Sequence, residues 1–490
     1  MENRPIRNVA LFIFLPLFFV LISTPPVFAS ETRGKPDKEL LQETGLDECL
    51  EKALENNRRR PASRFAVEMA EAQHRQAMAG YWPQIAIKGG YQLMDEAPNY
   101  IFPSSTISLP MGGTIPITIP GLGAIDVGSI TVPAQDIKLM DKESYRGSAE
   151  ATWLLYDGGM RKGYREQTQG LVDIMKQDSR RTDLEIVDSV KRFYYGAVVA
   201  TQLHQLGKDT LERMGATLNL TETMYKEGSG TVKKTDWLDN KIMVDSLRSM
   251  VALLEKNELM ARAALANTMG MPWNASVKPK DTEMPFTPFM DQLDGLVSTA
   301  YQFNPDWSKV EAAIRAAEGA VLTAKSDYYP KLAVVGELHK WWNDYDAGMA
   351  TDPNKEGWTA GVGVEIPIFS GFLTRNKVAE TRARVAKIKE EQILLKEGIG
   401  LQIRDTFLAL SAAEKSHQAT LDAMNAAVEN RDLNTRAYQQ ELVETEEVIR
   451  AQLMEALMSA QHYKVRYDHI ALQSQLNLVV GNEVLKKLEE

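Results

Sequence analysis

A single cysteine, Cys49, stands among 490 residues. With no second thiol there is no intrachain disulfide framework. Its spacing with Leu46, Leu50 and Ala53 suits one face of a helix, so it reads as a small buried apolar residue. The six histidines form no set with metal-ligand spacing. His462 and His469 share one helix face and read as packed or solvated. No P-loop, GxSxG or Cys/His pairing is present, so no catalytic centre and no cofactor site is legible. Basic clusters are missing too: the formal net charge is −10 with no basic stripe, which argues against a nucleic-acid partner. Beyond the N-terminal segment no run of 18 apolar residues exists, so no transmembrane helix is predicted there. That leaves a β-barrel open, because its signal per strand is far weaker.

What is present begins with a targeting segment. Arg4 and Arg7 precede an apolar core at Leu11–Ile22, and Val27-Phe28-Ala29 has the small-residue pattern of a cleavage site. Residues 1–29 are therefore predicted to be a signal peptide, and 30–45, polar with Gly34 and Pro36, a flexible N-terminus. Cys49 lies well past the cleavage site and is not placed to carry an N-terminal lipid.

The rest of the chain is written twice. A constant offset of 247 aligns Leu46 with Leu293, Asn57 with Asn304, Glu71 with Glu318 and Gly89 with Gly336, without a gap. It also superposes Tyr81-Trp82-Pro83 on Tyr328-Tyr329-Pro330. In each copy an Ala-rich helical pattern meets a proline, which lacks an N–H and pushes its predecessor out of the α region. An alternating, β-favouring run follows, with Ile85, Ile87, Tyr91 and Leu93 on one face of the first copy. Pro83 and Pro330 are thus predicted helix-to-strand joints. Returning strands are predicted at about 145–156 and 358–369, closing hairpins at about 83–156 and 330–369.

Past the hairpins the offset is 213, aligning Tyr156-Asp157-Gly158 with Phe369-Ser370-Gly371, so the first hairpin carries 34 extra residues. They lie within 97–141, where six prolines exclude helix. A long tip loop is predicted there, with a short β excursion such as 115–119. Each copy then runs about 65 residues without proline. In the second, Ile388, Leu395, Ile399, Ile403, Phe407 and Leu410 mark one apolar stripe. At 1.5 Å per residue such a helix is roughly 100 Å long. A turn follows each, at Gly228-Ser229-Gly230 and at Glu441-Leu442, and a closing helix ends at Gly270 or Gly481, natural stops. Residues 46–270 form the first repeat, 271–290 a linker and 291–490 the second repeat.

The helix, Tyr-x-Pro, strand, strand, Gly and long-helix order, met twice behind a signal peptide, resembles the TolC family of outer-membrane efflux proteins. The resemblance covers about 46–486 and rests on the Tyr-x-Pro joints, Tyr156-Asp157-Gly158-Gly159 and Ile366-Pro367-Ile368-Phe369-Ser370-Gly371. It implies a mainly α chain with a small β part. Long antiparallel helices would form a trimeric periplasmic barrel, and four strands per protomer a shared 12-stranded transmembrane β-barrel. It implies a passive duct in efflux or type I secretion, with a membrane-fusion adaptor and an inner-membrane pump as partners, outer-membrane lipid around the barrel and no cofactor. Matched by position, Tyr438 falls on the family's gate tyrosine, Glu447 and Asp236 on acidic gate positions, with Asp239 close by. Arg450 stands where the family more often has aspartate. Gly228, Ser229, Gly230, Glu441 and Leu442 would be adaptor contacts. The rival expectation is a periplasmic coiled-coil scaffold or tether without a pore, which accounts for the helices but not for two hairpins with proline joints. Trp341, Trp342 and Trp358 fit either core aromatics or an interfacial belt.

Overall fold

The computed structural model describes residues 43–108, 129–138, 142–228, 230, 232–343 and 356–482. The predicted signal peptide, the 115–119 excursion, Ser229 and residues 483–490 lie outside them. In chain order the first repeat is β1 (Glu43–Thr44), α1 (Leu46–Asn56), α2 (Arg59–Ala79), β2 (Gln84–Leu93), β3 (Asn99–Phe102), β4 (Ser105–Ser108), β5 (Ser129–Val132), β6 (Gln135–Lys138), β7 (Glu143–Tyr156), α3 (Met160–Glu227) and α4 (Lys234–Thr268). After β8 (Lys278–Pro279) the second repeat gives α5 (Leu293–Phe303), α6 (Pro305–Ser326), β9 (Lys331–Asn343), β10 (Glu356–Glu365), α7 (Leu373–Gln439) and α8 (Thr445–Val480).

Both prolines sit where the backbone changes form. Pro83 and Pro330 each stand immediately before a strand, and the helices end a few residues earlier, at Ala79 and Ser326. Arg161 braces the first joint. It donates to Gly80 O at 3.3 Å and Leu155 O at 3.1 Å, and its guanidinium lies 4.8 Å from the Tyr81 ring centre. Asp157 orients it, accepting its Nε–H at 2.7 Å and its backbone N–H at 2.9 Å. Burial alone would raise the Asp157 carboxyl. Those bonds and the Gly159 N–H outweigh it and hold the group below the usual carboxylate range.

The four long strands form one antiparallel sheet in the order β10-β9-β7-β2, so the two hairpins join through β7 and β9. β2 and β10 are its edges. Among the described residues neither face of β2 is covered: Ile85 and Ile87 are 76% and 86% exposed, and its opposite-facing residues are exposed as well. Trp342 and Trp358 also stand in the open. The insertion in the first hairpin holds more strand than its prolines suggest, since β3 pairs with β6 and β4 with β5. β10 is shorter than predicted and stops at Glu365 opposite Lys331, the first residue of β9. Ile366–Phe369 has no partner strand there, and Pro367 could donate nothing to one.

The helices α3 and α7 have 68 and 67 residues, as the proline-free stretches predict. On the strand side α2 and α6 pack along them; on the turn side α4 and α8 do. The helix predicted at the start of each repeat is broken, however, at Asn57 and at Asn304. Each asparagine serves two helices. Asn304 Oδ1 accepts from the N–H groups of Asp306 and Trp307, capping α6, while its Nδ2 donates to Val479 O at 2.7 Å near the end of α8. Asn57 does the same between Arg59 N and Thr268 O, at 2.9 and 2.8 Å. Beside these clamps Gly270 and Gly481 are left-handed (φ 78° and 79°), and a Cβ on either would lie 2.3 or 2.6 Å from a carbonyl oxygen of the facing helix end.

Two cores flank the clamps. Cys49, Leu50, Leu184, Ile186, Tyr194, Leu265 and Met284 fill the first, and Leu296, Ile399, Ile403, Leu410 and Leu476 the second. The predicted α7 stripe is the seam of the second core from Leu395 to Leu410, with Leu395 and Phe407 at its margin, while Ile388 is half-buried outside that cluster. Burial pushes the Cys49 thiol up to about 12, so it is inert packing. Glu43–Thr44, at the end of the predicted flexible N-terminus, instead pairs in parallel with Lys278–Pro279 of the linker.

Candidate functional site: the turn end of the helices

At the far end of α3 and α7 the four helices of the turn half meet in one buried hydrogen-bonded chain. Tyr438 (α7) is 3% exposed and lies among Met224, Val448, Leu220, Val232 and Val443. Its hydroxyl is 2.7 Å from Thr221 Oγ1 (α3) and 3.0 Å from Thr445 Oγ1 (α8). Asn240 (α4) donates its Nδ2–H to the same Thr221 oxygen at 3.3 Å. One turn deeper, Gln452 donates to Thr217 Oγ1 at 3.0 Å. A buried hydroxyl in an apolar setting is costly unless paired, so the chain holds the helices in one register.

Above this pin the chain turns twice in the same way. Gly228 closes α3 in the left-handed region at φ 70°, and Glu441, its equivalent, has φ 56°. Leu442 N donates back to Ala437 O at 2.9 Å, completing the C-terminal motif without glycine. Leu442 is 71% exposed at the tip. Gly230 is also left-handed, at φ 76°.

The gate-position residues divide into three sets. Tyr438 is committed inside the chain. Asp236 is the third residue of α4 and accepts the Lys233 N–H at 2.9 Å, so its carboxylate caps the helix. Asp239, Glu447 and Arg450 are exposed, and among the described residues none of the three forms a side-chain ion pair. Glu447 and Arg450 are the repeat equivalents of Asp236 and Asp239, at offset 211. Glu444, Glu446 and Glu447 crowd the start of α8, where the helix dipole favours negative charge, whereas the first tip carries Lys226, Lys233 and Lys234. Thr217, Thr221, Asn240, Thr445 and Gln452 were not predicted. Thr210, Thr217 and Thr221 fall at helical spacing on the buried side of α3, and that polar interruption of a core stripe is the signal that finds them.

Among the described residues no helix is long and apolar enough to cross a membrane, and no group of side chains could hold a metal ion. Comparison with known proteins gives the class. The outer membrane efflux protein family model matches residues 49–271 and 296–482, one segment in each repeat, and the chain belongs to that family. It is therefore an outer-membrane protein. It is 25% identical over 236 residues to the pyoverdine export outer membrane protein OpmQ of Pseudomonas aeruginosa, covering 48% of each chain. It is 24% identical over 272 residues to protein CyaE of Bordetella pertussis, covering 55% of this chain and 56% of that one. The aligned part thus spans about half the length of these relatives. The crystal structure of the Vibrio cholerae outer membrane protein VceC has the same fold, with a TM-score of 0.67 at 15% identity over 89% of this chain and 96% of that one. A Pseudomonas aeruginosa membrane protein superposes with a TM-score of 0.71 at 16% identity, over 90% and 91% of the two chains.

Proposed function

We propose that the chain is one third of a passive outer-membrane duct, and that the observation carrying this is the uncovered four-stranded sheet. β2 and β10 leave two open edges, and lipid cannot satisfy unpaired backbone groups, so the sheet must close on other copies. Three copies give a 12-stranded barrel. Apolar rows on the lateral helices, Ile242, Met250 and Leu253 on α4 and Leu394, Leu401 and Leu408 on α7, supply matching contacts for the helical tube. A coiled-coil tether without a pore leaves both the sheet edges and these rows unused.

In this duct the turn end is the periplasmic entrance. Glu447, Arg450 and Asp239 reach across it to neighbouring subunits, while Tyr438 holds the helices behind them and Asp236 fixes the start of α4. Threefold repetition of Glu447 makes a carboxylate ring, which favours cations and is blocked by divalent ions. Gly228, Gly230, Glu441 and Leu442 form the rim that meets a periplasmic adaptor, through which an inner-membrane pump delivers cargo for efflux or type I secretion. Membrane fractionation with heat-modifiable migration tests the assembly: a soluble periplasmic monomer refutes the duct. Tyr438→Phe combined with Glu447→Ala raises single-channel conductance of the reconstituted protein; unchanged currents sink the gate assignment.

A further inference from the structure

The linker between the repeats is held against α7 and α8 by a cluster that neither the barrel nor the turn end uses. Phe286 lies flat on the His417 ring, with centroids 3.7 Å apart and planes within 9°, and against His469 at 4.6 Å. His462 stands 5.1 Å from His417, its Nδ1 3.2 Å from Thr420 Oγ1. Three residues on, the Phe289 N–H donates to Glu414 Oε1 at 2.6 Å. That same oxygen lies 3.7 Å from Nε2 of His469, which is 0% exposed and whose two ring nitrogens have no hydrogen-bond partner. One carboxylate oxygen thus holds the linker amide and faces an imidazole that needs it only when charged.

The charged groups around the cluster are few. From α7 come Glu414 and His417, and from α8 His462, Arg466 and His469. The linker's Glu283 acts on Tyr463 instead. From α3, behind α8, Asp188 is already bonded by Ser474 at 2.8 Å and faced by Arg192 at 3.7 Å. Burial, first, and the positive charge of Arg466 push His417 below its usual range. Burial, His417 and Arg466 do the same to His462. For His469 burial outweighs the opposing pull of Glu414.

We propose that residues 284–290 are an acid-released strap. The neutral histidines clasp Phe286 and Glu414 holds the Phe289 amide. When His469 takes a proton, Glu414 swings to the imidazolium and releases the amide, and positive charge accumulates around Phe286. The clasped state binds fewer protons than the released one, so it is favoured above the ordinary histidine value of about 6.5 and weakens as pH falls below it. Each proton taken up raises the opening constant by up to about tenfold per pH unit. The strap stands apart from the duct reading, because its readout needs no conductance.

Hydrogen exchange of the full chain in detergent tests this, with protection at about pH 7.5 and about pH 5.0 corrected for the intrinsic exchange rate. Protection of the 284–290 peptide falls by roughly tenfold or more on acidification, while α3 around Gln202 keeps its protection. His469→Gln keeps the neutral-pH protection and shrinks the acid response to the part that His417 and His462 supply. Equal protection of the wild-type strap at both pH values overturns the proposal, as does an undiminished acid response in His469→Gln. Glu414→Gln gives a second check if that variant fails to fold. Its amide oxygen still accepts the Phe289 N–H but cannot neutralise His469, so the response shrinks; a response as large as wild type overturns the strap.

Discussion

Beside the linker the first repeat buries ions where the second buries aromatic rings. Thr201, His204 and Glu258 on α3 and α4 correspond to Glu414, His417 and His469 on α7 and α8, at offsets of 213 and 211. In the first repeat Glu258 accepts from Thr201 at 3.0 Å and is paired with both His204 and Arg262. Every charge there has a partner in the same helix pair. The second repeat has no counterpart of Arg262, whose position is Gln473, and fills the space with Phe286 from the linker. One backbone crossing therefore supports two solutions to a buried polar site: full compensation, or neutrality with an outside segment wedged in. The first ties α3 to α4 permanently, while the second depends on a strap.

The same contrast recurs elsewhere. Asp157 and Arg161 brace the first joint as a largely buried ion pair, whereas the equivalent Ser370 and Thr374 meet through hydroxyls 3.1 Å apart, and the second joint's ion pairs, of Asp327 with Lys331 and Lys377, are more exposed. Tyr438 is sealed into the core at one tip, but its equivalent Tyr225 stacks on Trp237, with centroids 5.9 Å apart, at the other. Gly159 and Gly228 are left-handed in the first repeat, and Phe372 and Glu441 take those conformations in the second. The second repeat thus carries backbone strain that the first avoids.

The largest test of this contrast is Glu258→Ala. It leaves Arg262 buried without its carboxylate and costs about 3–5 kcal/mol, read as a drop in the denaturation midpoint. The double replacement His417→Gln and His469→Gln costs much less at neutral pH, because no charge is stranded. Next in size are Asn57→Ala and Asn304→Ala. Each removes a cap and leaves a helix-end carbonyl unpaired, for about 1–3 kcal/mol and nearly equal in the two repeats. Unequal losses would show that the pseudo-symmetry of the clamps is not energetic. Asp157 sharpens the comparison with pH. Its folded carboxyl lies below its unfolded value of about 3.9, so its contribution is complete above that pH and is lost as pH falls through the folded value. Asp157→Asn therefore flattens the acid limb of a stability profile. The smallest effects are gains: Phe372→Gly and Glu441→Gly each relieve a left-handed residue, raising stability by up to about 1 kcal/mol, whereas Gly228→Ala lowers it.

Much of this architecture is legible in the residues. The repeat, the proline joints, the strands that follow them and the two very long helices are legible in local pattern, which acts over a few neighbours. So does the burial of Cys49, whose apolar neighbours recur at helical spacing. The breaks at Asn57 and Asn304 are not legible in that way. Both asparagines aligned between the copies, yet an asparagine inside a helical pattern acts as a cap only when another helix end, near residue 268 or 479, presents a carbonyl to its amide. The extent of β10 likewise depends on where β9 begins.

The gate positions show where local pattern stops. Tyr438, Asp236, Asp239, Glu447 and Arg450 look alike as polar residues near a turn. Their fates differ because Thr221 and Thr445 approach one of them, a helix N-terminus takes another, and the rest form no side-chain ion pair among the described residues. The internal repeat, the reach of the two long helices and the main apolar faces are written in the residues, since those depend on spacing along the chain. Only the tertiary structure decided which polar groups are spent on holding helices together and which stay available, because that depends on partners more than 200 residues away, such as Thr221 for Tyr438. It also set two scattered histidines, His417 and His469, on one phenylalanine of the linker, with His462 behind His417.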